Sequence, residues 1–403
     1  MALVPLKYTV RNLWVRRATT ILTILVTAIS VATTCVMFGL IEGLLTSNQV
    51  SGDPLDVIVL RKGASAETAG GFNVDTAREI ETLEGIARAP VLTEAQKASH
   101  MPDLEGGPLL AGELVTIRVI TKANNTKTNI ILRGAAEASP HLRRDFQIIA
   151  GRYLTPGTRE CMISPSMVGK YRGAQLGDRL VTGESESYEV VGLFTAGGSA
   201  AESEVWVDRD VLARELKAEG AVNSVQLRAA SAQARDAVMQ RITSETRLGL
   251  SPMTETKFFA DQQFTAIMLT VIGTLIGIAM STGAIFAAAN TMFAAVKSRT
   301  REIGTLRALG FPRRAILMSF LGEALLIAII GGVVGCLSTL LFRSWSFAIL
   351  DFNTFADRSF QLKVGPLVLA VALAMTLAMG VFGGLFPALR AVRLDVVKSL
   401  REV

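Results

Sequence analysis

QQFTAIMLTVIGTLIGIAMSTGAIFAAANTMFAAV, residues 262–296, is a run of 35 positions without a charged side chain. The hydrocarbon core of a bilayer is about 30 Å thick and takes roughly 20 apolar helical residues to cross. Such a run has to be helical, because lipid offers no partners to backbone N–H and C=O groups. Three further runs meet the same test. There are 24 uncharged residues between Arg17 and Glu42, 28 from Ala315 to Phe342 with Glu323 as their one charge, and 26 from Val364 to Leu389. The whole chain of 403 residues is 50% hydrophobic with a mean hydropathy of +0.41. The expected fold class is a polytopic α-helical membrane protein with four transmembrane helices and a large α+β extracytoplasmic domain inserted between helices 1 and 2. The first run is too long for the apolar part of a signal peptide, and no small-x-small cleavage site follows at Leu44–Val50, so it reads as a retained span.

Boundaries follow from these runs. Residues 1–18 form a cytoplasmic N-terminal amphipathic segment, 19–45 the first span and 46–258 the inserted domain. Residues 259–296 make a stalk and the second span, 297–314 a connecting helix, 315–341 the third span, 342–365 a short external loop, 366–388 the fourth span and 389–403 the tail. The second run would make about 52 Å of helix at 1.5 Å per residue, more than the hydrocarbon needs. Phe258, Phe259 and Phe264 continue its apolar pattern upstream. It therefore reads as one long helix that projects from the membrane and carries the inserted domain.

Charge sets the expected orientation. Segments 1–18, 297–314 and 390–403 together carry 14 basic residues against 3 acidic ones, and the remainder carries 27 against 32. Positive residues stay in the cytoplasm, so both termini and the 297–314 connection are expected there. The basic surplus then answers to topology and anionic headgroups rather than to nucleic acid. Of three cysteines, Cys35 and Cys336 fall in spans and Cys161 stands alone outside, which excludes a disulfide framework in the inserted domain.

Within 46–258, β-rich runs occur at 56–60, 115–120, 129–132, 188–194, 205–207 and 224–227, and helical patterns at 75–83, 208–216 and 232–246. Asp75 and Ser231 are candidate N-caps. Stretches 63–71 and 196–203 read as exposed loops, and 133–206 is a candidate inserted lobe.

Catalytic signatures do not occur. The sequence has no G-x-x-x-x-G-K-[ST] loop and no G-x-S-x-G elbow. His100 and His141 lack metal-ligand spacing and read as surface residues. Glu202 and Glu204, among Ser and Ala, read as a solvated loop. No enzyme, bound cofactor or metal is expected in this chain.

Each span carries a small-residue pair at i, i+4: Gly39/Gly43, Gly273/Gly277, Gly331/Gly335 and Gly380/Gly384. Such pairs let helix backbones approach closely, within a subunit or across a dimer. Glu323, nine residues into the third span, is an intramembrane carboxylate, read as bonding a neighbouring helix near the cytoplasmic interface. The connection KSRTREIGTLRALGFP, residues 297–312, has Ile303, Leu306 and Leu309 at helical spacing among Arg299, Arg301, Glu302 and Arg307. Gly310 supplies a helix stop, and Pro312 suits the first turn of the next helix. Pattern alone leaves two readings open: a helix lying on anionic lipid, or a docking element for a cytoplasmic partner.

The run KSRTREIGTLRALGFPRRAILMSFLGEALLIAIIGGVVG closely resembles the signature region of the MacB/FtsX-type ABC transporter permeases. The tail GLFPALRAVRLDVVKSLR resembles that family's closing segment, in which the last span ends at a Pro. LRGAAEASPHLRRDFQIIAGRYLTPGTRECMISPSMVGKYRGAQLGDRL resembles its periplasmic core. The resemblance implies a permease of the bacterial inner membrane, with the large domain in the periplasm. It implies a second copy of itself or a homologous permease, and a separate ABC ATPase dimer that binds ATP and Mg. By position, the ATPase contact would comprise Arg299, Arg301, Glu302, Ile303, Gly304, Leu306, Arg307, Leu309 and Gly310. Glu323 matches the family's E-A-L-L. The implied mechanism is mechanotransmission from the ATPase to the periplasmic domain, for export or extraction from the envelope. A periplasmic adaptor or membrane-fusion protein is a further implied partner. MacB-like, lipoprotein-releasing LolC/LolE-like and DevC-like permeases all fit. The alternative is an FtsX-like relay that regulates a cell-envelope hydrolase.

Overall fold

Among the described residues, four helices are long and apolar enough to cross a membrane: Arg17–Ser51, Phe264–Ser298, Arg313–Leu340 and Pro366–Val392. They are the first to fourth spans below. The computed structural model describes residues 17–183, 186–342, 345–352 and 354–393. Most of the expected N-terminal segment, and the tail beyond Arg393, lie outside these residues. The chain divides into two compact units. One holds the spans as far as Glu42, Met268–Trp345 and the chain from Leu362; the other comprises Gly43–Ile267 together with Ser346–Gln361.

In the span unit, several glycines sit where helices approach closely. A Cβ on Gly331 would lie 2.8 Å from Thr27 Cβ, and one on Gly335 would lie 2.6 Å from the Ala28 carbonyl oxygen, both on the first span. Gly380 and Gly384 face Ala328 and Ala324 of the third span just as tightly. Gly273 and Gly277 face Ile41 and Thr34 at ordinary contact distance. Gly39 packs on Leu362 and Lys363, and Gly43 on Phe360 and Gln361. Three of the four pairs thus meet close neighbours inside the chain, whereas Gly273 and Gly277 leave room for a Cβ. Hydroxyls of the first span find partners there too: Thr23 Oγ1 donates to Thr291 Oγ1 at 2.9 Å. The fourth span does not stop at its proline; the helix runs through buried Pro387 to Val392.

Strands are numbered along the chain: β1 (Asp56–Arg61), β2 (Phe72–Asn73), β3 (Leu110–Thr121), β4 (Lys127–Ala135), β5 (Phe146–Gly151), β6 (Glu160–Ile163), β7 (Arg179–Thr182), β8 (Glu186–Ala196), β9 (Glu204–Asp208), β10 (Ala221–Val222), β11 (Ser224–Arg228), β12 (Leu250–Thr254), β13 (Ser346–Leu350) and β14 (Asp357–Gln361). The large sheet runs β12-β1-β11-β3-β4-β9-β6-β8-β5, with β7 on β8. β4 and β9 pair in parallel, Ile131 opposite Glu204, so the chain leaves the sheet at β4 and returns beside it. The chain between these two strands, residues 136–203, extends the same sheet through β6, β8 and β5. One core packs Val57, Val59, Ile80, Val225 and Val238. Others gather Ile130, Tyr188 and Val207, and Phe146, Phe194 and Trp206.

Three expectations change. The helix at Val74–Glu81 is capped by Asn73, whose side chain accepts from the Asp75 amide, because β2 ends at Asn73; Ser231 caps Ala232–Ser244 as expected. The second span is not continuous with the helix before it. Helix Glu255–Asp261 ends at Gln262, and the span begins at Phe264. Phe258 is buried with Ile58 and Leu60 and Phe259 packs against them, so these two belong to the inserted domain's core rather than to a stalk, whereas Phe264 opens the span itself. Residues 342–365 are more than a loop. β13 and β14 pair as an antiparallel hairpin, Ser346 opposite Gln361, which joins the same unit as the inserted domain. Ser203 and Ser359 exchange two hydrogen bonds of 3.0 and 2.9 Å, and Lys122 reaches Asp357 at 2.6 Å.

Candidate functional site

The 297–312 connection folds as a helix, Thr300–Ala308, flanked by Arg299 and Leu309. Its end is built by Gly310 at φ +94°, a conformation that favours glycine. The Gly310 and Phe311 amides donate to the Arg307 and Leu306 carbonyls at 3.1 Å each, and Pro312 precedes the third span as its N-cap rather than sitting in its first turn.

One side of this helix is fixed to the spans. Ile303 is buried with Val296, Ile316, Phe320 and Ala391, and Gly304 is buried beside it. Arg299 Nη1 donates to Glu323 Oε2 at 3.1 Å, with both side chains buried. Arg307 Nη1 donates to the Val392 carbonyl at 3.0 Å, which satisfies one of the acceptors left open at the end of the fourth span. The other side faces outward: Arg301, Glu302 and Gly310 are exposed, and Leu309 is 72% exposed. Leu306 is half-buried between the two sides. The candidate residues therefore separate into two groups. Arg299, Ile303, Gly304 and Arg307 brace the helix, while Arg301, Glu302, Leu309 and Gly310 are presented.

A second group of chemistry-bearing residues lies in the inserted domain. Arg133 on β4 pairs with Glu204 Oε2 at 2.6 Å, with Glu67 Oε2 at 2.8 Å and with Glu113. Arg143 also donates to Glu113, at 2.9 Å. Burial works to raise the Glu67 pKa, and the Arg133 guanidinium overrides it, holding the carboxyl at about 2. Glu204 is thus a buried partner of Arg133, not a solvated loop residue, because it opens β9 in the middle of the sheet. Glu202 is likewise engaged, accepting from the Thr195 hydroxyl and the Ala196 and Gly198 amides. Glu255 is nearly fully buried; burial, against the pull of Arg143, raises its pKa to about 8. The sequence signal for this group was opposite charges inside apolar β-runs: ELV, ILRGA and EVWV. Of the histidines, His100 is exposed, and His141 Nε2 lies 2.8 Å from the Pro102 carbonyl. No cluster with metal-binding composition occurs among the described residues.

Comparison with known families matches residues 274–396 to the FtsX-like permease C-terminal family and residues 20–245 to the MacB-like periplasmic core domain. The chain belongs to the MacB/FtsX-type permease family. The inter-span helix and its braces lie within the FtsX-like region, and the Arg133 cluster within the MacB-like region. The pyoverdine export ATP-binding/permease protein PvdT of Pseudomonas entomophila (strain L48) is 26% identical over 413 residues, which cover 97% of this permease and 58% of PvdT. The permease chain thus spans a little over half the length of that relative. The ABC transporter permease YknZ of Bacillus subtilis (strain 168) is 35% identical over 137 residues, 34% of this chain and 32% of YknZ. The crystal structure of the periplasmic region of MacB from Actinobacillus actinomycetemcomitans aligns with a TM-score of 0.37 at 9% identity, over 53% of this chain and 94% of that one.

Proposed function

We propose that this permease is the non-catalytic transmembrane subunit of an ABC transporter, driven by an ABC ATPase that lies outside these 403 residues and binds ATP and Mg. The inter-span helix docks on the ATPase. Its displacement moves the spans, and the spans move the inserted domain to export or extract a substrate from the envelope. The subunit acts with a second copy of itself or a homologous permease in the bacterial inner membrane. Both termini face the cytoplasm, the inserted domain is periplasmic, and an adaptor or membrane-fusion protein meets it there.

The bracing of the inter-span helix carries this reading. A helix that floats on lipid keeps an apolar face free for the bilayer. Here Ile303 is buried against the spans, and Arg301 and Glu302 are among the residues presented. A push on that outer side passes to the third span through Arg299–Glu323 and to the fourth through Arg307–Val392. Export is supported by PvdT, a pyoverdine export protein.

The test is purification of the tagged full chain from its host in mild detergent, with a fluorophore at exposed Glu219. Co-purification of an ABC ATPase, and a fluorescence change on ATP that the Glu302→Lys variant loses, is the expected result. A chain that carries no ATPase and does not respond to ATP sinks the proposal.

A further inference from the structure

The inserted domain and the hairpin enclose a small cavity of about 60 Å³ with an open mouth. Its wall includes Arg358 of the hairpin, Ser199, Glu255, Phe258, Phe259 and Val50. Arg358 and Ser199 are only 7% and 5% exposed. Arg358 Nη1 donates to Asp351 at 3.4 Å, yet Arg358 Nε and Nη2 and the Ser199 hydroxyl have no hydrogen-bond partner among the described residues. Asp351 meets the Arg358 charge, but buried polar groups are nearly always paired, and these three donors are not.

The two open guanidinium donors share one edge. That edge is the fork that takes the two oxygens of a carboxylate or phosphate side by side. Three of the neighbouring acids are engaged elsewhere: Glu67 and Glu204 hold Arg133, and Asp357 holds Lys122. Glu255, with its raised pKa, is largely protonated at neutral pH and adds a donor to the wall rather than a negative charge. Phe258, Phe259 and Val50 give the same wall an apolar part.

We propose that this cavity binds a phosphate or carboxylate group carried on a short apolar body, with the Nε/Nη2 edge of Arg358 and the Ser199 hydroxyl as donors and Phe258 and Phe259 as the apolar seat. The site is remote in sequence from the inter-span helix, and it stands or falls independently of the transport reading.

The experiment uses the full chain in phosphatidylcholine nanodiscs, titrated calorimetrically with hexyl phosphate, inorganic phosphate and hexanol. The expected result is saturable binding of one hexyl phosphate per chain, at least tenfold tighter than inorganic phosphate, with no binding of hexanol. Arg358→Gln weakens it at least tenfold. Ser199→Ala, which removes one hydroxyl and leaves the packing intact, weakens it about threefold or more. Equal binding of hexyl and inorganic phosphate keeps the anion site and removes the apolar seat. Absence of saturable binding, or binding that both variants leave unchanged, overturns the proposal.

Discussion

Arg299 Nη1 donates to Glu323 Oε2 across 3.1 Å, and the two side chains are 9% and 7% exposed. The pair ties the residue that opens the inter-span helix to a carboxylate within the first half of the third span. It gives Glu323 the neighbouring-helix partner that its position in the sequence called for. Breaking one side of a buried pair leaves an uncompensated charge and costs about 3–5 kcal/mol, whereas replacing both sides is far milder. Arg299→Met and Glu323→Leu should each lower the thermal midpoint of the full chain in detergent, and the double variant should recover most of the loss. Additive losses would show that the two charges do not act as a pair.

Close packing of the spans makes a second prediction. A side chain at Gly331 meets Thr27 and the Ile24 carbonyl, while one at Gly322 meets nothing within 4 Å. Gly331→Leu should therefore unfold or misassemble the chain in detergent, and Gly322→Leu should leave its elution profile and midpoint unchanged.

The buried cluster of the inserted domain makes a third. Arg133→Met leaves Glu67, Glu113 and Glu204 without their shared cation. Loss of one member of such a network costs about 3–5 kcal/mol. Limited proteolysis of the variant should cut within the inserted domain at protease levels that spare the wild type.

Glu255 makes a pH prediction. Its folded pKa of about 8 lies above the ordinary carboxyl value of 4.5, with burial as the leading cause, Asp56 and Glu67 adding to the rise and Arg143 opposing it. The folded state then holds a proton that the unfolded state has released. Stability from this group is complete below about pH 4.5 and is lost as pH rises toward 8, by at most about 1.4 kcal/mol per pH unit. Thermal midpoints measured at several pH values should show Glu255→Gln gaining on the wild type between pH 5 and 8. Parallel curves would place the carboxyl's titration elsewhere.

The four spans were legible because lipid imposes a rule that sequence cannot evade: charge-free runs of sufficient length. The core strands were legible because they are apolar and β-branched. The hairpin at β13–β14 was not. It is short and partly polar, and its partners, Lys122 and Ser203, lie more than 150 residues away in the chain. Glu204 and Arg133 were hidden for a related reason: a charge on a strand reads as solvent-facing until its opposite charge is found on a distant strand. Within the inter-span helix, spacing located the turn at Gly310 and the periodic Ile303. It did not separate bracing Arg299 and Arg307 from presented Arg301 and Glu302, because which arginine finds an acceptor depends on the third and fourth spans.

The most direct test of coupling is ATP turnover by the permease and its ABC ATPase, reconstituted together in nanodiscs, with Leu309→Asp and Arg301→Glu introduced on the presented side of the helix. Both positions are exposed, so the thermal midpoint of the permease should not change. ATPase binding and permease-dependent turnover should fall at least tenfold. Wild-type binding and turnover in the double variant would contradict docking through this helix.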